Sequence, residues 1–192
     1  MGLSLVTIST AFLLTVVLLP LFIAKMRAAH EGQEIREDGP KWHAFKSGTP
    51  TMGGAIFNVV ILITVSLVTI ASHTLALPAV MLWLVFFLYG VIGFSDDFIK
   101  LFKKRNMGLT ALQKFSAQVL VGLLFIALYL AAHLPTVIPL PFIGHFTNPW
   151  LFGAFAIFWF TGFSNAVNLT DGLDGLATGC SIVSYSLYAL IA

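Results

Sequence analysis

The chain has 192 residues, 58% of them hydrophobic and only 9% charged, whereas an ordinary soluble domain is about one quarter charged. Together with a mean hydropathy of +0.96, this points to lipid as the solvent and excludes a soluble bundle, whose helices would need polar faces to cover the large surface of so small a domain. The net charge of +2 and the single Cys180 give no support to a nucleic-acid partner and exclude an internal disulfide framework.

Six stretches of 17 to 22 residues carry no formal charge, close to the ~20 residues a helix needs to cross a hydrocarbon core. The first, Leu3–Ala24, lacks a basic leading region, is too long for a signal-peptide core and is followed by Lys25 and Arg27, so it reads as a retained helix. The second and third, Met52–Ala71 and Leu75–Ser95, are joined by a short uncharged link. The fourth is Phe115–Ala132 and the fifth Trp150–Val167. Between them Pro135, Pro139, Pro141, Gly144 and Pro149 break any helix and allow a short extended or hairpin excursion. The sixth, Leu176–Ala192, runs apolar to the last residue without a polar anchor, so the chain is expected to be truncated before further helices. The expected fold is all-α: a polytopic integral membrane protein with about six transmembrane helices in a single membrane domain, residues 1–192.

The charges predict the orientation. All ten basic residues lie after the first and third helices: Lys25, Arg27, Arg36, Lys41 and Lys46, then Lys100, Lys103, Lys104, Arg105 and Lys114. By the positive-inside rule both segments face the cytoplasm, which puts the N-terminus outside and the proline-rich stretch on the external side. The cluster from Lys103 to Lys114 reads as this orienting charge. All eight acids fall on the same cytoplasmic side, and since acids contribute little to orientation their placement needs another cause.

Three motifs supply one. The first, Gly39 to Gly54, enters the second helix and contains Lys46, Thr49, Pro50, Thr51, Gly53 and Gly54. Thr49 can act as an N-cap with Pro50 in the first helical position, and the glycines can allow close helix packing. Lys46 and Thr51 then lie beside a helix N-terminus, where backbone donors and the dipole favour an anion such as a diphosphate.

The second motif, Gly93-Phe94-Ser95-Asp96-Asp97-Phe98-Ile99-Lys100, puts two adjacent carboxylates at the end of an apolar helix, where charge is costly and by default functional. On a continuing helix Asp96 and Lys100 share a face and Asp97 points about 100° away. One carboxylate can therefore bind metal while the other accepts a proton, unless Asp96 and Lys100 form only an interfacial salt bridge. Oxygen-only ligands of this type suit Mg²⁺.

The third motif, Asn165 to Ala177, repeats Asn165, Asn168, Asp171 and Asp174 at intervals of three, with Gly172 and Gly175 interspersed. Such spacing keeps polar groups on roughly one side of a helix end, and the glycines permit a turn or close approach of a ligand. It is a candidate nucleotide or metal site, against the plainer reading of a polar loop with Asp-Gly turns.

Taken together, these motifs resemble the polyprenyl-phosphate N-acetylhexosamine-1-phosphate transferase superfamily, the glycosyltransferase 4 family, with Asp96-Asp97 and the Asn168–Ala177 run standing where its aspartate-rich motifs do. The run Gly48 to Gly54, preceded by His43 and Lys46, looks like the phospho-N-acetylmuramoyl-pentapeptide transferase branch rather than the N-acetylglucosamine branch. The resemblance implies transfer of phospho-N-acetylmuramoyl-pentapeptide from its uridine diphosphate carrier to undecaprenyl phosphate, with Mg²⁺, at the cytoplasmic face of a bacterial inner membrane, by a homodimer. It makes Asp96 and Asp97 catalytic, Lys46, Thr51, Lys100, Asn168, Asp171 and Asp174 substrate-binding, and Asp97, Asp171 and Asp174 metal-binding. A later cytoplasmic acid and a later histidine-rich loop of the family are absent, so this chain alone is expected to be inactive.

Other readings are weaker on the residues. A CDP-alcohol phosphotransferase shares the Asp-Gly start of Asp171–Ala177 but needs a following Arg and spaced aspartates that are missing. An ion- or proton-coupled transporter would hold charges near the membrane midplane, whereas here they gather at one face. A binding protein on the same scaffold would bind the uridine nucleotide without turnover.

Overall fold

The computed structural model describes residues 2–28, 50–103, 107–140 and 144–191. Its element order is α1 (Gly2–Ala28), α2 (Gly53–Ala71), α3 (Leu77–Phe102), α4 (Ala111–Ala131), β1 (Ile138–Leu140), β2 (Gly144–Phe146), α5 (Pro149–Thr170) and α6 (Leu176–Ile191). Helices α1 to α5 are long and apolar enough to cross a membrane, and α6 is a shorter apolar helix of 16 residues. The protein is an all-α, multi-pass membrane protein. The expected six spans are thus five long helices and a shorter sixth. Their outer faces carry exposed Leu, Val, Ile and Phe side chains throughout, the surface that hydrocarbon rather than water covers.

The chain divides into two compact units, Met1–Ala117 and Gln118–Ala192. In the first, α1 packs on α2 and α2 on α3. Gly90 makes the second contact close, because a Cβ there would lie 2.9 Å from Asn58 Oδ1; small residues of this kind let membrane helices approach. In the second unit Gly122 meets Ile157 and Gly153 meets Ile126, while Phe125 stands edge-on to Phe160 and Tyr129 stacks on Phe152.

Helix boundaries depart from the apolar stretches where local polar chemistry intervenes. α2 starts at Gly53, with Met52 in the left-handed region (φ 67°) as its N-cap, so Pro50 stands before the helix rather than in its first position, and Thr49 lies outside the described residues. α3 runs past Ser95 to Phe102. α4 begins at Ala111, before the expected Phe115. There the Thr110 N–H donates to Gln113 Oε1 (3.0 Å) and the Gln113 N–H donates to Thr110 Oγ1 (3.2 Å), a reciprocal capping box. α5 is capped by Asn148, whose Oδ1 accepts from the Trp150 and Leu151 N–H groups, with Pro149 opening the helix.

Of the extended and hairpin excursions that the proline-rich stretch allows, the structure forms the hairpin. β1 and β2 pair antiparallel with Ile138 opposite Phe146, and Thr136 Oγ1 closes the base by donating to the Thr147 carbonyl (3.1 Å).

Candidate active site

Because α3 continues beyond its apolar stretch, residues 96, 97 and 100 fall on adjacent turns of one helix and their side chains meet. Lys100 Nζ lies 2.7 Å from Asp96 Oδ2 and 3.0 Å from Asp97 Oδ1. One ammonium therefore bridges two neighbouring carboxylates. The salt bridge of Asp96 with Lys100 is present, and it extends to Asp97.

The two carboxylates are not equivalent. The Asp96 side chain is 13% exposed and that of Asp97 36%. The other oxygen of Asp96, Oδ1, accepts the Leu109 N–H at 2.9 Å, so both its oxygens are engaged, one by a cation and one by the backbone beyond α3. Gly108 permits this approach: a Cβ there would lie 2.5 Å from Asp96 Oδ1 and closer still to the Asp96 carbonyl oxygen. Asp97 is the more reachable of the pair.

Beside this cluster an apolar groove of about 320 Å³ is lined by Phe94, Phe98, Leu101 and Phe102 of α3, Phe22 and Met26 of α1, and Met52 and Ala55 at the start of α2. Phe94, Phe98 and Phe102 stack in a ladder along α3. The groove thus brings the beginning of α2 alongside the charged end of α3. Thr51, next to Met52, has a buried Oγ1 with no hydrogen-bond partner among the described residues. Lys46, His43 and the other residues from 29 to 49 lie outside the described residues.

In the second unit α5 carries Asn165 and Asn168 and ends at Thr170. Asp171 is the C-cap, its N–H donating to the Val167 carbonyl, and Asp171 to Gly175 form a turn before α6, with Gly175 at φ 81°. Asn168, Asp171 and Asp174 are exposed. Asn165 and Asn168 thus lie on the last turns of α5 and Asp174 on the turn that follows, a helix end with a glycine-bearing turn. Within each unit, the described residues include no group of three His, Cys, Asp or Glu side chains arranged to hold a metal ion.

Two features were missed in the sequence, one in each unit. The Leu109 N–H that engages Asp96 leaves no mark in residue type, although Gly108 beside it is a trace of the close approach. Gln118 reads as one of several polar residues in the first turns of its helix, yet it is 1% exposed and bonded to two α5 side chains.

A family model described as glycosyl transferase family 4 matches residues 79–192. The chain belongs to glycosyl transferase family 4. The region matched in this family holds both carboxylates of α3 and the whole Asn165–Ala177 run, and leaves the loop before α2 outside. Proteins named phospho-N-acetylmuramoyl-pentapeptide-transferase are similar along nearly all of the chain. That of Lactobacillus gasseri is 51% identical over 192 residues, 100% of this chain and 60% of its own length. That of Latilactobacillus sakei is 47% identical over 194 residues, again 100% of this chain and 60% of its own. That of Enterococcus faecalis is 43% identical over 187 residues, 97% of this chain and 58% of its own. This family 4 chain therefore spans about 60% of the length of the curated relatives it matches.

Proposed function

We propose that this chain serves the transfer of phospho-N-acetylmuramoyl-pentapeptide from UDP-N-acetylmuramoyl-pentapeptide to undecaprenyl phosphate, giving lipid I and UMP, at the cytoplasmic face of a bacterial inner membrane. The observation that carries the reading is the Asp96–Lys100–Asp97 cluster at the end of an apolar helix, in a chain 51% identical along its whole length to a relative of that name. An anionic phosphate must approach an anionic diphosphate, and the task of the protein is to neutralise charge and to position both groups.

Asp97, as the reachable carboxylate, suits a metal or the attacking phosphate, and Asp96, engaged on both oxygens, suits the role of holding Lys100 in place. Asn168, Asp171 and Asp174, exposed at and beyond the end of α5, are assigned to the uridine nucleotide and, for the acids, to the metal. The donors are all oxygens, which fits Mg²⁺. When bound, that ion supplies charge neutralisation on the diphosphate. Thr51 and Lys46 are assigned to the donor phosphates. The apolar groove beside α3 suits the isoprenoid of the acceptor. Orientation with the N-terminus outside follows from the basic residues after α1 and α3, and we propose a homodimer.

The test supplies undecaprenyl phosphate and Mg²⁺ to membranes holding the complete gene product, with either UDP-N-acetylmuramoyl-pentapeptide or UDP-N-acetylglucosamine as donor. Lipid product and UMP from the first donor alone, lost in Asp97→Asn, is the expected result. Product from the second donor would move the protein to the sister branch, and turnover of neither would overturn the reading. Residues 1–192 alone are expected to give no turnover.

A further inference from the structure

Gln118 lies on α4 with 1% of its surface exposed, and a buried primary amide in an apolar helix is costly unless its polar atoms are bonded. Both are. Nε2 donates to Ser164 Oγ (3.3 Å) and Oε1 accepts from Asn165 Nδ2 (2.8 Å). Asn165 Nδ2 also donates to the Thr161 carbonyl of its own helix (2.8 Å), so the asparagine is held in one orientation between α4 and α5.

Other side chains join the same two helices as well. Toward the hairpin, Gly122 against Ile157, Gly153 against Ile126, and the aromatic pairs of Phe125 with Phe160 and Tyr129 with Phe152 already pack α4 on α5. Apolar packing of that kind tolerates small rotations and slides, whereas a two-point hydrogen-bonded amide has one register. Gln118 applies its constraint at the opposite end of the pair, at Ser164 and Asn165, one turn before Asn168 and two before Asp171.

We propose that Gln118 is a positioning residue: by gripping Ser164 and Asn165 it sets the rotation and height of the last turns of α5, and with them the placement of Asn168 and Asp171 toward the uridine nucleotide of the donor. The proposal rests on the assignment of the Asn168–Asp174 run to that nucleotide.

The test compares wild type, Gln118→Met and Gln118→Glu in the complete gene product. Met keeps the volume and removes both bonds; Glu keeps the acceptor and, as the neutral acid, the donor. For Gln118→Met we expect kcat/KM for the uridine-diphosphate donor to fall by about 10- to 100-fold, the range that small misplacements of binding groups produce, mostly through KM for that donor. KM for undecaprenyl phosphate and the thermal unfolding temperature in detergent should stay near wild type, and Glu should recover most of the loss. Unchanged donor kinetics in Gln118→Met, or a loss shared equally by both substrates, accompanied by lower unfolding temperature and not rescued by Glu, would overturn the proposal. Amide hydrogen exchange over residues 165–171 separates this from the fate of the functional reading. Should the wild type transfer neither donor, the functional reading fails. Faster exchange in Gln118→Met would then still uphold the grip on α5, and unchanged exchange would refute it.

Discussion

Gly108→Ala is a change of one methyl group outside any helix, and the geometry predicts a large effect. The added Cβ would stand 2.5 Å from Asp96 Oδ1 and 2.8 Å from its Cγ, and closer to the Asp96 carbonyl oxygen. Part of that obstruction is backbone, which a side-chain rotation cannot relieve, so the segment must withdraw from the end of α3. The bond from the Leu109 N–H to Asp96 Oδ1 (2.9 Å) is then lost. A hydrogen bond to a charged group contributes about 1.5–3 kcal/mol, which corresponds to roughly 10- to 100-fold in rate if the displaced carboxylate no longer holds Lys100 where the transition state needs it. The assay is lipid I formation by membranes holding the complete gene product. Gly162→Ala is the control, since a Cβ there meets nothing within 4 Å. Transfer by Gly108→Ala at the wild-type rate, with wild-type thermal stability, would refute the claim that the Leu109–Asp96 contact organises the site.

Three further outcomes follow from the same geometry. Lys100→Met removes the ammonium shared by Asp96 and Asp97; because it is 34% exposed, stability should fall by only ~1 kcal/mol, while transfer should drop about 100-fold or more as a charge clamp is lost, measured by product formation beside thermal unfolding. Thr110→Val breaks the reciprocal cap with Gln113 and should lower stability by about 0.5–2 kcal/mol, read from denaturant unfolding in detergent, with donor KM unchanged. Chelation of divalent ions should abolish transfer and added Mg²⁺ restore it, with Ca²⁺ a poor substitute because its longer metal–oxygen distances differ by about 0.3 Å or more.

The bilayer explains why so much of the fold was legible. A helix crossing hydrocarbon must be apolar along its length, so the spans stand out in composition, and Pro139 marks the hairpin because it cannot continue a helix. The pairing of Asp96 with Lys100 was likewise implied by spacing on a helix, once that helix was allowed to continue. The early start of α4 was written in Thr110-Ala111-Leu112-Gln113, but taking Lys114 as a membrane boundary concealed it. α5 likewise runs past the apolar stretch that stops at Val167, because polar Asn168 and Thr170 continue the helix to its cap at Asp171.

The sequence by itself determined the solvent, the approximate spans, the segregation of basic charge to two segments, and the residue types available for phosphate and metal. Those properties are local or additive along the chain. Only the tertiary structure decided which of two adjacent aspartates is shielded and which is reachable, through the Leu109 N–H and the space left by Gly108, and that Gln118 grips Ser164 and Asn165 rather than facing lipid. Those outcomes depend on atoms 13 to 47 residues apart, and no local propensity carries that information.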